Sequence, residues 1–271
     1  MAPLQTRIIE PRAPWNRELF ELVTYRRIAY LLAWREVKVR YKQTAIGIAW
    51  AVLQPIIGAV VFSAVFGRFL NPTVPYQLFA YVGFIAWVYI SSSVSAGGVS
   101  IVKNSALVTK VYFPRLLLPI SSVLPGLVDL ALALALVPML WVIDARTPSL
   151  AVVYLPAAII MAVVVAATMS IWLSALDVRY RDVRHALPFA LQAWLFVSPI
   201  VYPRNLLPSR VQALYEINPA VLPIETLRVA LGAGGDVEPR MVATWCAVML
   251  ALAILGVVFF KHAERTFADT I

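Results

Sequence analysis

The chain has 271 residues, 61% of them apolar and only 14% charged, against roughly 25% charged in an ordinary soluble domain. That little polar side chain cannot cover a 30.0 kDa globule, which excludes a soluble enzyme, a disordered chain and a disulfide-stapled secreted domain. The mean hydropathy of +0.81 and net charge of +9 indicate an integral membrane protein with basic loops. The basic residues lie between apolar runs and form no patch suited to nucleic acid.

In chain order, residues 1–43 are expected to be a cytoplasmic N-terminal segment, whose first part, Met1 to Asn16, has no continuous apolar core of a signal peptide. Within it, residues 18–34 carry Leu19, Leu22, Val23, Tyr30 and Trp34 among charges, which predicts an amphipathic helix on the membrane surface. Crossing about 30 Å of hydrocarbon takes roughly 20 helical residues. Runs of that kind occupy residues 44–67, 76–102, 116–143, 150–176, the shorter 186–202, and 241–260. They are continuous rather than alternating, so a barrel is excluded. The expected fold is all-α and polytopic, with six transmembrane helices in a domain over residues 44–260 and a cytoplasmic tail over 261–271. Pro55, Pro119, Pro125, Pro138, Pro156 and Pro188 fall inside these runs and are read as packing kinks.

Orientation follows from Lys and Arg. About 17 lie before the first run, in the second–third and fourth–fifth connections and in the tail; about six lie on the other side. Both termini are therefore expected in the cytoplasm. Residues 203–240 are moderately apolar and broken by Pro208, Pro219 and Pro223. Two short helices in a re-entrant hairpin and an ordinary outer loop fit this pattern equally well.

Reactive chemistry is sparse. His185 and His262 stand at cytoplasmic ends of runs, Cys246 is the single cysteine, and no His/Cys/Asp/Glu spacing suits a metal. Asp129 is the one carboxylate well inside a run, with a hydrogen bond to Ser121, Ser122 or a partner chain as its expected role. The eleven glycines never form G-x-x-x-x-G-K-[ST], so energy must come from another subunit.

Residues 35–44 (REVKVRYKQT), Gly47-Ile-Ala-Trp50 and Gln54-Pro55 lead into the first span. They are followed in order by residues 104–115 (NSALVTKVYFPR), 177–182 (DVRYRD), 198–202 (SPIVY) and Asn218-Pro219. Together these stretches resemble the type-2 ABC exporter permeases of O-antigen (Wzm-like) and teichoic-acid export, over nearly the whole chain. The resemblance implies a homodimeric channel in the bacterial inner membrane, with two copies of a nucleotide-binding subunit that holds ATP and Mg. This chain itself would be no enzyme and carry no cofactor. The implied cargo is a lipid-linked polysaccharide on undecaprenyl diphosphate, moved outward. Export of teichoic acid, capsule, a drug or a small lipid is the alternative; a membrane glycosyl- or lipid-modifying enzyme is a distant one.

The resemblance also implies roles. Lys103, Asn104, Leu107, Lys110, Arg179, Arg181 and Asp182 would meet the ATPase, with charges in 177–182 pairing within the turn and to Arg35 or Glu36. Pro208, Asn218, Pro219 and Pro223 would belong to short outer gate helices, which favours the re-entrant reading. Arg35, Lys38, Arg40 and Lys42 would attract a diphosphate head group or simply anchor the cytoplasmic side. Phe62, Phe66 and Phe69 share one face of the first span, and with Trp194, Phe196 and Tyr202 they are the candidates for lining the channel.

Overall fold

The computed structural model describes residues 23–42, 49–67, 75–144, 146–206, 208, 212 and 215–267. Phe69 lies outside them, as do Leu19 and Leu22. The described elements are helices: α1 (Arg26–Lys42), α2 (Ala49–Phe66), α3 (Tyr76–Gly98), α4 (Ser100–Lys103), α5 (Ser105–Lys110), α6 (Leu117–Ser122), α7 (Gly126–Leu134) and α8 (Val137–Ile143). A 3₁₀ turn (Leu150–Tyr154) leads into α9 (Leu155–Arg179), followed by α10 (Val183–Val197), a 3₁₀ turn (Arg204–Leu206), α11 (Val221–Ala230) and α12 (Pro239–Glu264).

Five described segments are long and apolar enough to cross a membrane: Ala49–Phe66, Tyr76–Gly98, Leu117–Ile143, Leu150–Arg179 and Pro239–Glu264. The expected fifth run, 186–202, is a shorter helix than its apolar length suggests. α10 has 15 residues, about 22 Å of helix, and stops at Val197. The cause is Pro199, which excludes helical geometry from the residue before it; Ser198 is extended at ψ 146.

Helix α3 is the axis of the bundle. It packs against α2, α6, α7, α9, α10 and α11, and 17 of its residues are buried. Small residues let the neighbours approach. At Gly97 a Cβ would lie 2.1 Å from Ser170 Oγ of α9, so only glycine fits that crossing.

The run over 117–143 is broken twice. Pro125 precedes α7, and Pro138 sits in the first turn of α8. The carbonyls at the breaks find donors on α3: Tyr89 and Ser93 hydroxyls donate to Val123 O, both at 3.4 Å, and Tyr81 donates to Ala133 O at 2.9 Å. Pro156 differs from the expected kink. It stands in the first turn of α9, where a missing N–H leaves no carbonyl unpaired.

By contrast α2 and α10 are thinly packed. Only Ala51, Pro55 and Ala59 of α2, spaced at i, i+4 and i+8, are buried, and only Leu187 of α10. Their remaining surface shows Trp50, Ile57, Val61, Phe66, Phe189 and Phe196.

Gly97→Ala is expected to destabilise the bundle by about 1–3 kcal/mol through overpacking at the α3–α9 crossing. Thermal unfolding in detergent measures it. Adding Ser170→Gly, which removes the clashing atoms, should recover most of the loss.

Candidate functional site

Three groups of polar residues, set in an otherwise apolar chain, form the candidate site. The first joins α1 to the connection between the second and third long segments. Lys103 Nζ donates to Glu36 Oε2 at 2.6 Å, and Arg35 Nη2 reaches both Glu36 Oε1 at 3.2 Å and Asn104 Oδ1 at 2.7 Å. Burial pushes the Glu36 carboxyl up, but the Lys103 ammonium and Arg35 guanidinium more than offset this and hold it below its ordinary value. Apolar contacts back this node: Tyr25, Ile28, Ala29 and Leu32 of the α1 segment join a cluster with Leu107, Phe113, Leu117, Phe260 and Phe267. Arg115, which follows α5, donates to the Glu264 carbonyl at the end of α12 at 2.9 Å.

This pairing differs from the expected one. Glu36 and Arg35 engage Lys103 and Asn104, not the 177–182 stretch. There Asp177, 1% exposed, is paired with Arg184 at 3.2 Å, a bond that closes the turn between α9 and α10. Arg179, Arg181 and Asp182 are exposed on that turn, with the Arg179 guanidinium 5.4 Å from the Tyr180 ring. Lys110, at the end of α5, is also exposed, beside exposed Val111 and Tyr112.

The second group surrounds Asp129. Arg40 and the Tyr41 hydroxyl, both from the end of α1, hydrogen-bond its two carboxylate oxygens. Ser121 and Ser122 instead donate to the Leu118 carbonyl of their own helix. The expected local serine partner is therefore corrected: one-turn geometry turns both hydroxyls back along α6, while α1 brings a cation within reach. Of the basic residues expected to attract a head group, Arg40 is thus bonded to Asp129 and Arg35 is engaged as described. Lys38 stands 5.7 Å over the Trp34 ring, itself stacked on Tyr30, and Lys42 is exposed.

The third group holds the connection between α10 and α12. Asn218 is its centre: its Oδ1 accepts from Trp194 Nε1 at 2.8 Å and from the Ala220 N–H at 3.1 Å, while its Nδ2 donates to Val197 O and Ser198 Oγ. Trp245 of α12 donates to Pro219 O at 2.9 Å. The two carbonyls past the end of α11, Leu231 and Gly232, accept from Trp141 and Arg146. Nine of the ten residues of α11 are buried, Pro223 among them, whereas Pro208 is exposed. Neither buried Arg228 nor Glu225 was singled out in the sequence; an arginine three residues after a glutamate in an apolar decapeptide was the available signal.

The aromatic candidates separate. Phe62 packs against Phe84 and Phe66, at 5.4 and 5.9 Å between ring centres. Phe66 and Phe196 are exposed, Trp194 is half-buried edge-on to Trp87, and Tyr202 is half-buried beside Tyr215.

The described residues thus combine thinly packed apolar helices, a charged bridge from α1 to Lys103 of α4 and a buried helix, α11. The family model described as ABC-2 type transporter matches residues 29–231, about three quarters of the chain. The chain belongs to the ABC-2 type transporter family. Relatives include the O-antigen export system permease protein RfbA of Myxococcus xanthus, 28% identical over 256 residues, covering 93% of this chain and 98% of the relative. Two Klebsiella pneumoniae proteins of the same name are 23% and 25% identical, each over 88% of this chain and 92% of the relative. An ABC-2 member is a multi-pass permease of the inner membrane that works with a nucleotide-binding ATPase, and is not itself an enzyme.

The Glu36 node yields a pH dependence. Because its folded pKa lies below the ordinary 4.5, its pairing stabilises the chain above that value and is lost as pH falls through the lower folded value. Glu36→Gln should therefore be less stable than the native chain at pH 7. That difference, read by thermal unfolding, should vanish well below pH 4.5.

Proposed function

We propose that this chain is the membrane half of an ATP-driven exporter of lipid-linked polysaccharide, assembled as a homodimer with two ATPase subunits. The observation that carries this reading is the end-to-end similarity to O-antigen export permeases, 28% over 93% of this chain. In this reading α10 is the fifth of six spans, both termini lie in the cytoplasm, and residues 203–240 form a re-entrant gate on the outer side. The basic-loop asymmetry supports the orientation. The burial of α11, together with the bonds from Trp141, Arg146 and Trp245, supports re-entry, because irregular backbone at membrane depth needs protein around it.

The exposed faces of α2 and α10 suit the path between two copies. Phe66 and Phe196 offer flat apolar surface to sugar C–H faces, with few fixed hydrogen bonds to stop a sliding chain. Phe62, Trp194 and Tyr202 stand behind them in this reading; Phe69, outside the described residues, stays a lining candidate from its sequence spacing alone. The α1 helix, with Tyr30, Trp34 and Val39 exposed, lies at the cytoplasmic interface. Lys38 and Lys42 face the diphosphate there. Lys103, Asn104, Leu107, Lys110, Arg179, Arg181 and Asp182 form the surface that receives the ATPase stroke, and the Glu36–Lys103 bridge passes it to α1.

Loss of this chain should leave lipid-linked polysaccharide inside the cytoplasm, while ATPase activity of the purified permease stays absent until its partner is added. Lys110→Glu and Arg181→Glu should each cut export while insertion survives, since a like charge across an interface costs several kcal/mol. Normal export by both variants would remove these loops from the transmission surface. With Cys246 replaced by serine, Pro208→Cys should react with a membrane-impermeant maleimide from outside only, and Phe66→Cys should react when glycan occupies the channel. Labelling of Pro208→Cys from the cytoplasmic side would overturn the orientation.

A further inference from the structure

Arg228 is 0% exposed and lies on a helix surrounded by apolar neighbours. Its guanidinium does more than neutralise Glu225. Nη1 donates to Glu225 Oε1 at 2.9 Å and to the Pro199 carbonyl at 2.6 Å, Nη2 donates to the Ile200 carbonyl at 2.7 Å, and the group lies 3.5 Å over the ring of Phe79. The second oxygen of Glu225 accepts the Asp236 N–H at 3.1 Å. Four separate pieces of chain therefore meet on one ion pair: α3, the turn after α10, α11 and the approach to α12.

The surroundings are shaped for that guanidinium. At Gly83 of α3, a Cβ would lie 2.6 Å from Arg228 Nη2 and 2.8 Å from the Ile200 carbonyl. Gly235 has φ +95, and a Cβ there would lie 2.8 Å from the Arg228 Cβ. Pro199 supplies the reason for an arginine. By ending α10 at Val197 it strands two adjacent carbonyls, Pro199 and Ile200, away from any helix partner. A planar fork reaches both and the carboxylate together; a lysine ammonium offers no such fork.

We propose that Arg228 and Glu225 are positioning residues for transport: they lock the outer hairpin and the end of α10 to α3 as one rigid body that seals the outer mouth between cycles. This rests on the hairpin lying at that mouth, as proposed above. Swinging the hairpin away would carry the Glu225–Arg228 pair with it but would take the guanidinium off the Phe79 ring and leave the Pro199 and Ile200 carbonyls without a donor, which is strongly unfavourable in hydrocarbon. The mouth therefore opens by displacement of the whole locked body, along the thinly packed faces of α2 and α10. The hairpin does not unbend within one chain.

The test uses the permease with its ATPase in liposomes holding a small anionic dye. The paired variant Glu225→Gln/Arg228→Met removes both charges together, so that neither is left buried alone. It is expected to insert, bind the ATPase and hydrolyse ATP at the native rate, while dye escapes roughly tenfold faster in the absence of nucleotide as the closed state loses its advantage. Arg228→Lys, which keeps the charge and loses the fork, should leak to an intermediate degree. A paired variant that retains dye and exports normally overturns the proposal.

A second measurement leaves the ion pair intact. Val201→Cys in a Cys246→Ser background places a thiol at a position 5% exposed, beside the locked turn. It should stay unreactive to a water-soluble reagent both at rest and during ATP turnover. Labelling that appears on turnover shows the hairpin swinging free and sinks the idea, even if the paired variant fails to insert. The dye readout needs no glycan, so it stands whichever cargo is exported, and the side of the hairpin is read separately from Pro208→Cys.

Discussion

Hydrocarbon offers no hydrogen-bond partner, so each carbonyl that a proline or a helix end sets free must find a donor within the protein. That constraint accounts for several polar side chains between the helices. Tyr81, Tyr89 and Ser93 project from α3 to the breaks before and after α7, and Arg228 answers the break caused by Pro199. Trp141, Arg146 and Trp245 do the same for the hairpin. Three of these donors stand on α3, because it is the helix most surrounded by others and can serve breaks on several sides. Prolines that would only weaken a soluble bundle become places where one span is fastened to the next.

The same constraint divides the bundle into a fastened part and a loose one. α3, α6–α8, α9 and α11 are joined by side-chain-to-backbone bonds and tight crossings such as Gly97 on Ser170. α2, and α10 apart from its fastened C-terminal end, contribute little buried surface and touch their neighbours mainly through small or isolated residues. Motions of low cost run along weak packing. In the cycle proposed above, the hydrogen-bonded frame stays intact and whole bodies are displaced, so that no carbonyl is stranded.

Much of this was legible before any coordinates, and what was not had a physical reason. Long uncharged runs define the spans because length and hydropathy are local properties; five of the six appear as segments long enough to cross. The fifth helix ends short of its uncharged run because Ser198-Pro199 carries no charge to mark the end, while the backbone break depends on the proline ring. Pro156 was read as a kink since sequence alone does not say where a helix begins. Pairings were the least legible. Asp129 and Arg40 are 89 residues apart, and no local pattern tells a carboxylate to bypass two nearby serines for a helix on another part of the chain. Arg228 was missed because an i, i+3 pair with Glu225 looks like an ordinary surface pair until the burial of α11 is known.

The Asp129 contact has a further consequence for how force can travel. α1 is bound at two points: to Lys103 and Asn104 through Glu36 and Arg35, and to Asp129 through Arg40 and Tyr41. A helix held at one point can pivot; held at two, it transmits displacement along its length. α1 also rests on α6, the first piece of the segment whose next piece carries Asp129. The α4–α5 connection is thus linked through α1 to the pieces on both sides of the proline break between α6 and α7. From that break contacts continue into α3 through Tyr89 and Ser93, and α3 in turn holds Arg228 of α11 over Phe79. One continuous chain of hydrogen bonds and packed helices therefore joins the exposed cations at one end of the bundle to the buried cation at the other.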